Sequence, residues 1–357
     1  MTKKNLLKYS IYQKYLKIWI DILTPKQLLF TESIVEKLGR KHELFCTSRE
    51  YNEVSKLSKI RHFKLVFIGK HGGGDKKNKL KASIERIEKL SKKIERFKPD
   101  LVISFGSPEA ARISFGLRIK HIMFCDSPHA NAVMRLTVPL IQKLLIPYVI
   151  QKKEFSKYGI NEKDIVQYKA IDAMVTMQRK INENINSPFK NNNKKNILIR
   201  IEEEEAAYTS KSSKIIPIIQ KIVNNYQNEN IVILGRYTKQ INNLKKIIGN
   251  EVKIIKMSFD GKYLLNKTDI FIGSGGTMTA ESALMGIPTI SYNAVPNIVE
   301  EFLVKKNLVK RETNPNKVSN HIKKIFEITN NQNQKRAKKI VKEMEDPIEK
   351  LIKIIKK

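Results

Sequence analysis

The stretch Thr268-Asp-Ile-Phe-Ile-Gly-Ser-Gly-Gly-Thr-Met-Thr-Ala-Glu-Ser-Ala-Leu-Met-Gly-Ile-Pro-Thr-Ile-Ser291 decides the fold. Its apolar run Ile270–Ile272 reads as a buried strand that breaks at Gly273-Ser274-Gly275-Gly276, and a helix is predicted over Thr277–Met285. Gly286-Ile287-Pro288 stops that helix, and Thr289–Ser291 starts the next strand. Glycines at a strand end let backbone N–H groups approach a ligand closely. The helix N-terminus behind them adds roughly +0.5 charge, so the place suits a phosphate. Glu281, one turn into the helix, lies near the same mouth and is fitted to accept hydrogen bonds from ribose hydroxyls. A plain strand–turn–helix with a glycine-rich cap would use many of the same residues. The conjunction of Ser-Gly-Gly, Glu281 and Gly-Ile-Pro favours the ligand-binding reading.

Working outward, the chain alternates strands and helices. Strands are expected at Leu16–Ile22, Glu43–Ser48, Phe63–Ile68, Asp100–Ser104 and His121–Cys125. Helices are expected at Pro25–Leu38, near Tyr51–Lys59, from about Leu80 to Phe97, and at Pro108–Leu117. After the polar run Asn191–Asn196 a second cycle opens with strands at Asn196–Arg200, Ile231–Leu234 and Val252–Ile255. The glycine motif and Thr289–Ser291 are expected to complete its sheet, and Val318–Lys357 reads as helix with a break near Pro347. This order implies two parallel sheets, each covered on both faces, with ligands collecting at the carboxyl ends of the strands. The predicted organisation is an extension over residues 1–15, a first α/β domain over 16–190, a second over 191–330 and a helical tail over 331–357.

A chain of 357 residues exceeds the usual size of a single core. No run approaches the ~18 apolar residues of a spanning helix, and Met1–Tyr15 is basic without the apolar centre of a signal peptide. Cys46 and Cys125 sit in apolar strands, which suggests reduced thiols and a cytoplasmic protein. The net charge of +33 would ordinarily point to nucleic acid or an anionic membrane. Yet 13 of the 68 basic residues are Arg and the rest are Lys, scattered beside Ile and Asn as an AT-rich genome would produce. Bidentate recognition of bases favours Arg, so no specific nucleic-acid partner is expected. A cytoplasmic membrane surface, met peripherally, or an anionic lipid-linked substrate fits the charge better.

The glycine motif resembles the donor-binding motif of GT-B fold glycosyltransferases and of the non-hydrolysing UDP-N-acetylglucosamine 2-epimerases. That resemblance implies that Gly273, Ser274, Gly275, Gly276 and Thr277 bind the diphosphate and Glu281 the ribose. The spacing from Ser274 to Glu281 matches MurG-type transferases, the epimerase version being one residue shorter. A second set of pieces is similar to the DUF354 family. These are Trp19-Ile-Asp-Ile-Leu-Thr-Pro25, Gly69-Lys-His-Gly-Gly73, Lys98-Pro-Asp-Leu-Val-Ile-Ser-Phe-Gly-Ser-Pro108 and Phe124-Cys-Asp-Ser-Pro-His-Ala130. The likeness runs from about Leu16 to Asn330. It implies a GT-B-like α/β architecture, two Rossmann-like doubly wound domains facing a central cleft, with a C-terminal helix that crosses back to the first domain.

Each of these pieces ends a strand and is expected to point into the cleft. Asp21 closes the first strand, Thr24-Pro25-Lys26 opens the first helix, and Ser107 precedes Pro108 as a helix cap. Glu109 follows near the positive end of that helix, where simple dipole stabilisation would also explain it. Asp126 and His129 are the strongest acid–base pair, since a carboxylate can orient an imidazole and raise its pKa. The same Asp-Ser-Pro-His would equally make a helix N-cap and first turn. His71, in the Gly72–Gly74 loop, is placed on the acceptor side with Asp21, Thr24, Lys26 and Ser107.

In the second half Arg200 and Arg236 follow strands and are candidates to neutralise a diphosphate. Phe259 sits where related folds seat the base, and Glu202–Glu205 reads as a solvated helix start. No Asp-x-Asp metal motif stands in a suitable place, so neither metal nor cofactor is expected. The apolar segment Ala132–Ile150 reads as a buried helix plus strand or as a membrane-facing patch beside the acceptor.

The leading expectation is a metal-independent transferase moving a sugar from a nucleotide diphosphate sugar, UDP-linked by preference, to a cell-surface glycan precursor or lipid-linked acceptor. The alternative is a non-hydrolysing nucleotide-sugar 2-epimerase, which needs several cleft carboxylates and a histidine; Asp21, Glu109, Asp126 and His129 would supply them. The third is a basic, non-catalytic binder of nucleic acid or membrane.

Overall fold

A computed structural model of the chain describes residues 15–181, 187–190, 192–202, 215–235, 238–249, 252–256, 260–294, 296–327 and 331–356. The first half builds β1 (Lys17–Ile22), α1 (Pro25–Leu38), β2 (Glu43–Glu50), α2 (Asn52–Ile60), β3 (Val66–Lys70) and α3 (Lys76–Phe97). There follow β4 (Leu101–Ser104), α4 (Pro108–Gly116), β5 (Lys120–Phe124), α5 (Asn131–Thr137), β6 (Lys143–Pro147), α6 (Lys153–Ser156), β7 (Ile165–Tyr168) and α7 (Ala173–Gln178). The second half starts with β8 (Asn196–Arg200), α8 (Ile215–Asn225), β9 (Asn230–Gly235), α9 (Thr238–Ile248), β10 (Lys253–Lys256) and α10 (Gly261–Leu265). It continues through β11 (Ile270–Gly273), α11 (Thr277–Leu284), β12 (Thr289–Ser291), α12 (Ile298–Lys305) and β13 (Lys310–Arg311). Three helices close it: α13 (Pro315–Glu327), α14 (Gln332–Lys342) and α15 (Pro347–Ile355).

Seven parallel strands form the first sheet in the order β3-β2-β1-β4-β5-β6-β7. Six form the second in the order β10-β9-β8-β11-β12-β13, also all parallel. Two doubly wound Rossmann-like sheets result. In each, the order reverses at one place, between β1 and β4 and between β8 and β11, and in folds of this kind ligands collect outside the carboxyl ends there. The composition of β1 shows why both faces are covered. Ile18, Ile20 and Ile22 point to one side with α1 residues Leu28, Phe30 and Ile34, whereas Trp19 points to the other with Leu90 and Ile94 of α3. Each such side chain is fully buried, and burial of one is worth roughly 1.5–3 kcal/mol.

Several elements differ from the sequence expectation. The third strand begins at Val66 rather than Phe63, and α3 starts earlier than Leu80 because Asp75 caps it, accepting from Asn78 N at 2.8 Å. The second sheet is not completed by Thr289–Ser291; β13 adds an edge strand beyond it. The segment 132–150, by contrast, takes the helix-plus-strand form the sequence allowed: α5, a short 3-10 turn and β6, with Met134, Val138 and Leu144–Ile146 buried and Leu136 exposed. Among the described residues no helix is long and apolar enough to cross a membrane.

The two sheets share apolar packing. Ala280, Ala283 and Leu284 of α11 belong to the same cluster as Ile171, Met174 and Val175 around α7. Ile348 and Leu351 of α15 join that cluster too, with Leu38 and Val54 of the first half. Lys37 of α1 pairs with Asp346 at 2.5 Å and Glu349 at 2.6 Å, which ties α15 to the first lobe.

Candidate functional site

At the β8/β11 reversal the backbone leaves β11 through Gly273 and enters α11 at Thr277. Gly275 takes φ +96°, a left-handed conformation that glycine adopts without strain. Its N–H is held by Thr279 Oγ1 at 3.2 Å, and its carbonyl accepts from Asn297 Nδ2 at 3.0 Å. Gly276, the residue before α11, is exposed and has no side-chain cap; a Cβ there would meet nothing nearer than Ser274 Oγ at 4.0 Å. Ser274 and Thr277 are partly exposed at the same rim. The helix mouth is therefore open, with N–H groups and a hydroxyl around it. Arg200, the last residue of β8, is buried beside the reversal, where its carbonyl accepts from Tyr292 at 3.3 Å. Glu202 is not a solvated helix start: it is buried and accepts from the Tyr292 hydroxyl at 2.6 Å. Arg236, Phe259 and Glu203–Glu205 lie outside the described residues.

Glu281 faces a protein cation. Arg179, just past α7, donates to Glu281 Oε1 at 3.0 Å and to Asp260, the cap of α10, at 2.6 Å. Arg61, which caps α2 in the first lobe, reaches the other Asp260 oxygen at 3.0 Å and Glu32 at 2.8 Å. A buried chain of alternating charge thus runs from α1 to α11 and fastens the lobes beside the mouth. Sequence reading missed Arg179 and Asp260, whose significance lies in pairings across the chain.

In the first lobe the ends of β1, β5 and β7 bring together Lys26, Asp126 and Asp172. Lys26 Nζ bonds Asp126 and lies 2.6 Å from Asp172 Oδ2. Asp126 also accepts from Ser127 at 2.8 Å, and Asp172 from the Tyr168 hydroxyl. Burial would push the Asp126 pKa up, but the Lys26 charge outweighs it and holds the carboxyl below its ordinary value. For Asp172 burial wins over Lys26, and the neighbouring Asp126 charge adds to the upward shift. The arrangement gives one ionised carboxylate and one raised carboxyl around a single ammonium, the environment expected of an acid–base pair. His129 is exposed on the loop after Asp126; partial burial lowers its pKa, and the Asp126 charge offsets part of that. This loop is not a helix start, since α5 begins at Asn131 with Ala130 as its uncapped neighbour. Asp172 was missed in the sequence, although an acidic residue after the run Ala170-Ile171 was a usable signal.

The two halves of the site meet through α12. Asn297, which holds Gly275, is followed by Ile298, and Ile298 packs on the first-lobe cluster of Cys125, Val133 and Met134. Asn297 and Ile298 therefore link the glycine loop to the cluster that holds Cys125, the residue before Asp126. Both thiols are free, and burial pushes Cys46 and Cys125 up to about 12.

Other candidates fall into scaffold positions. Asp21 is fully buried and accepts from Arg86 at 2.6 and 3.1 Å, Thr47 at 2.6 Å and Ser107 at 2.6 Å. Ser107 caps α4, accepting from Ala110 N at 3.1 Å, and Thr24 caps α1, accepting from Gln27 N at 3.4 Å. Glu109 is buried, with Ser83 at 2.9 Å and Arg86 at 3.5 Å. His71 stacks on Tyr51, ring centroids 4.7 Å apart, and burial together with Arg49 and Lys79 lowers its pKa to about 4, so it is neutral at physiological pH. Among the described residues no group of three or more His, Cys, Asp or Glu is arranged to hold a metal.

Against known proteins, the model of the DUF354 family, described as a protein of unknown function, matches residues 16–357, and the chain belongs to that family. An uncharacterized protein of Methanocaldococcus jannaschii is 28% identical over 343 residues, covering 93% of this chain and 95% of that one. Among solved structures, the UDP-GlcNAc 2-epimerase of Neisseria meningitidis bound to UDP-GlcNAc is similar with a TM-score of 0.72 and 17% identity, covering 95% and 98% of the two chains. S. aureus MnaA, solved with UDP, gives a TM-score of 0.74 and 13% identity, covering 94% of each. At these identities the structural likeness establishes the GT-B-like fold.

Proposed function

We propose that this DUF354 protein is a nucleotide-sugar 2-epimerase of the non-hydrolysing type, acting on a UDP-linked 2-acetamido sugar. The observation that carries the reading is the pairing of an open, amide-rich helix mouth in one lobe with the Lys26–Asp126–Asp172 cluster in the other. The likeness to epimerases solved with UDP-GlcNAc and UDP supports it, and it displaces the transferase expectation drawn from motif spacing.

The chemistry follows from the sugar. The hydrogen on C2 has no adjacent carbonyl to stabilise a carbanion, so its removal is coupled to loss of the diphosphate from C1. The C2–H electron pair becomes a C1–C2 double bond while the C1–O pair leaves with UDP. Return of a proton to the opposite face and re-formation of the C1–O bond invert C2. Ser274, Gly275, Gly276 and the α11 N-terminus stabilise the departing diphosphate. Asp126, kept ionised by Lys26, is the base. The raised Asp172, or His129 exposed three residues along the same loop as Asp126, is the candidate to return the proton.

Incubation of the protein with UDP-GlcNAc in deuterated water tests this. The expected product is the C2 epimer with deuterium at C2. Transfer to a glycan, the reading that the Ser274-to-Glu281 spacing favours, predicts a sugar that stays protonated and intact until an acceptor is added. That result would remove the epimerase.

A further inference from the structure

One first-lobe cation has no role in the chemistry above. Arg49 stands at the carboxyl end of β2, where the pairing with β3 shifts register between Ser48 and Glu50, and its charge is felt by Glu109, Arg86 and Asp21. Beside it Thr47 joins Asp21, Arg86 and Glu109 in a buried network. Arg86 is fully engaged there, bonding Ile68 O at 3.0 Å and both Asp21 oxygens. Arg49 is different. Among the described residues it forms no ion pair, and its Nε is buried with no hydrogen-bond partner. Glu109 is close enough to stabilise the charge, but its oxygens are committed to Ser83 and Arg86. A buried cationic donor without an acceptor is costly to fold with, which calls for an explanation. Beside it the Tyr51 and His71 rings, 23° from parallel, form a flat wall, and space opens over Gly73 and Gly74.

We propose that Arg49 receives a carboxylate carried on the sugar ring, so that the preferred substrate is a nucleotide-linked uronate rather than a neutral sugar. This rests on the nucleotide-sugar reading of the cleft. An anion at Arg49 is then a second one, separate from the diphosphate that the α11 mouth of the other lobe would meet. A planar guanidinium fits a carboxylate through two parallel hydrogen bonds, and a lysine would not reproduce that geometry.

Calorimetry with UDP, UDP-GlcNAc and UDP-linked 2-acetamido-2-deoxyglucuronate, on wild type, Arg49→Met and Arg49→Lys, tests it. Wild type is expected to bind the uronate about 10-fold or more tighter than UDP-GlcNAc, and Arg49→Met to lose about 30-fold for the uronate, as for loss of a charged hydrogen-bonded pair. Arg49→Lys falls between, and the affinity for UDP, which lacks the sugar, reports that each variant is folded. Equal wild-type affinity for the two sugars, or an Arg49→Met loss shared equally by UDP, overturns the inference alone. Wild type that binds no UDP overturns the nucleotide-sugar reading together with it.

Discussion

Lys26→Met keeps the length of the side chain and deletes the charge between Asp126 and Asp172. In the wild type those two carboxylates and the ammonium have side-chain exposures of 23%, 2% and 20%. An opposite charge at about 4 Å in surroundings of effective dielectric ~20 is worth about 4 kcal/mol of attraction. Part of that loss is recovered when a carboxyl takes up a proton, so a net destabilisation of about 3 kcal/mol is expected near pH ~8. The pH dependence has a definite sign. The folded pKa of wild-type Asp126 lies below its unfolded value, so its stabilisation is present above the unfolded pKa and is lost as pH falls through the folded one. The raised Asp172 acts oppositely, stabilising below its unfolded pKa and losing that as pH rises through the folded value. Without Lys26 both carboxyls are raised, so the variant recovers stability relative to wild type as the pH is lowered from about 8 to about 5. Urea denaturation followed through Trp19, the single tryptophan and fully buried, reads the difference. A loss under about 1 kcal/mol, or the same loss at both pH values, would refute the assignment of Lys26 as the cation that splits the pair.

Four further variants have expected outcomes. Asp21→Ala leaves Arg86 buried without its carboxylate and should cost about 3–5 kcal/mol in the same denaturation assay; a change under about 1 kcal/mol would mean the network is not structural. Glu281→Gln should weaken UDP binding by about 10-fold or more in calorimetry, because it removes a charged acceptor from the mouth and loosens Arg179; unchanged affinity would place the ribose elsewhere. Gly276→Ala should fold normally, since its Cβ meets open space, yet lose UDP affinity. Gly275→Ala, at φ +96° and with Glu300 and Ser291 atoms 3.3 Å away, should destabilise the protein by about 1–3 kcal/mol. Reversal of those two behaviours in a melt and a titration would contradict the loop geometry.

What the sequence made legible was local. The break at Gly273–Gly276, the cap at Ser107 and the helix Pro25–Leu38 depend on neighbouring residues, and each appears where its signals stand. The missed parts depend on distance. The surroundings of Glu281 were not legible, since its partner Arg179, bonded at 3.0 Å, lies 102 residues earlier. Asp21 reads as a cleft residue until Arg86, 65 residues away, closes on it. Strands β7 and β13 escaped for another reason, and β6 was foreseen only as the unplaced strand of 132–150. The apolar density of 143–147 fits helix or strand equally, β7 has four residues, and β13 has two. Such short strands are formed because the growing sheet supplies a partner, not because their own residues demand it.

The packing of α15 sets an order for synthesis. Ile348 and Leu351 contribute to the apolar cluster that contains Leu38 and Val54, while Asp346 and Glu349 hold Lys37. Residues 347–355 are translated after every strand of both sheets. The lobe made first on the ribosome must therefore wait, with part of its interior uncovered, until the polypeptide of the other lobe has been made. Assembly of this protein is a circular process, in which the opening residues are completed by those that come much later.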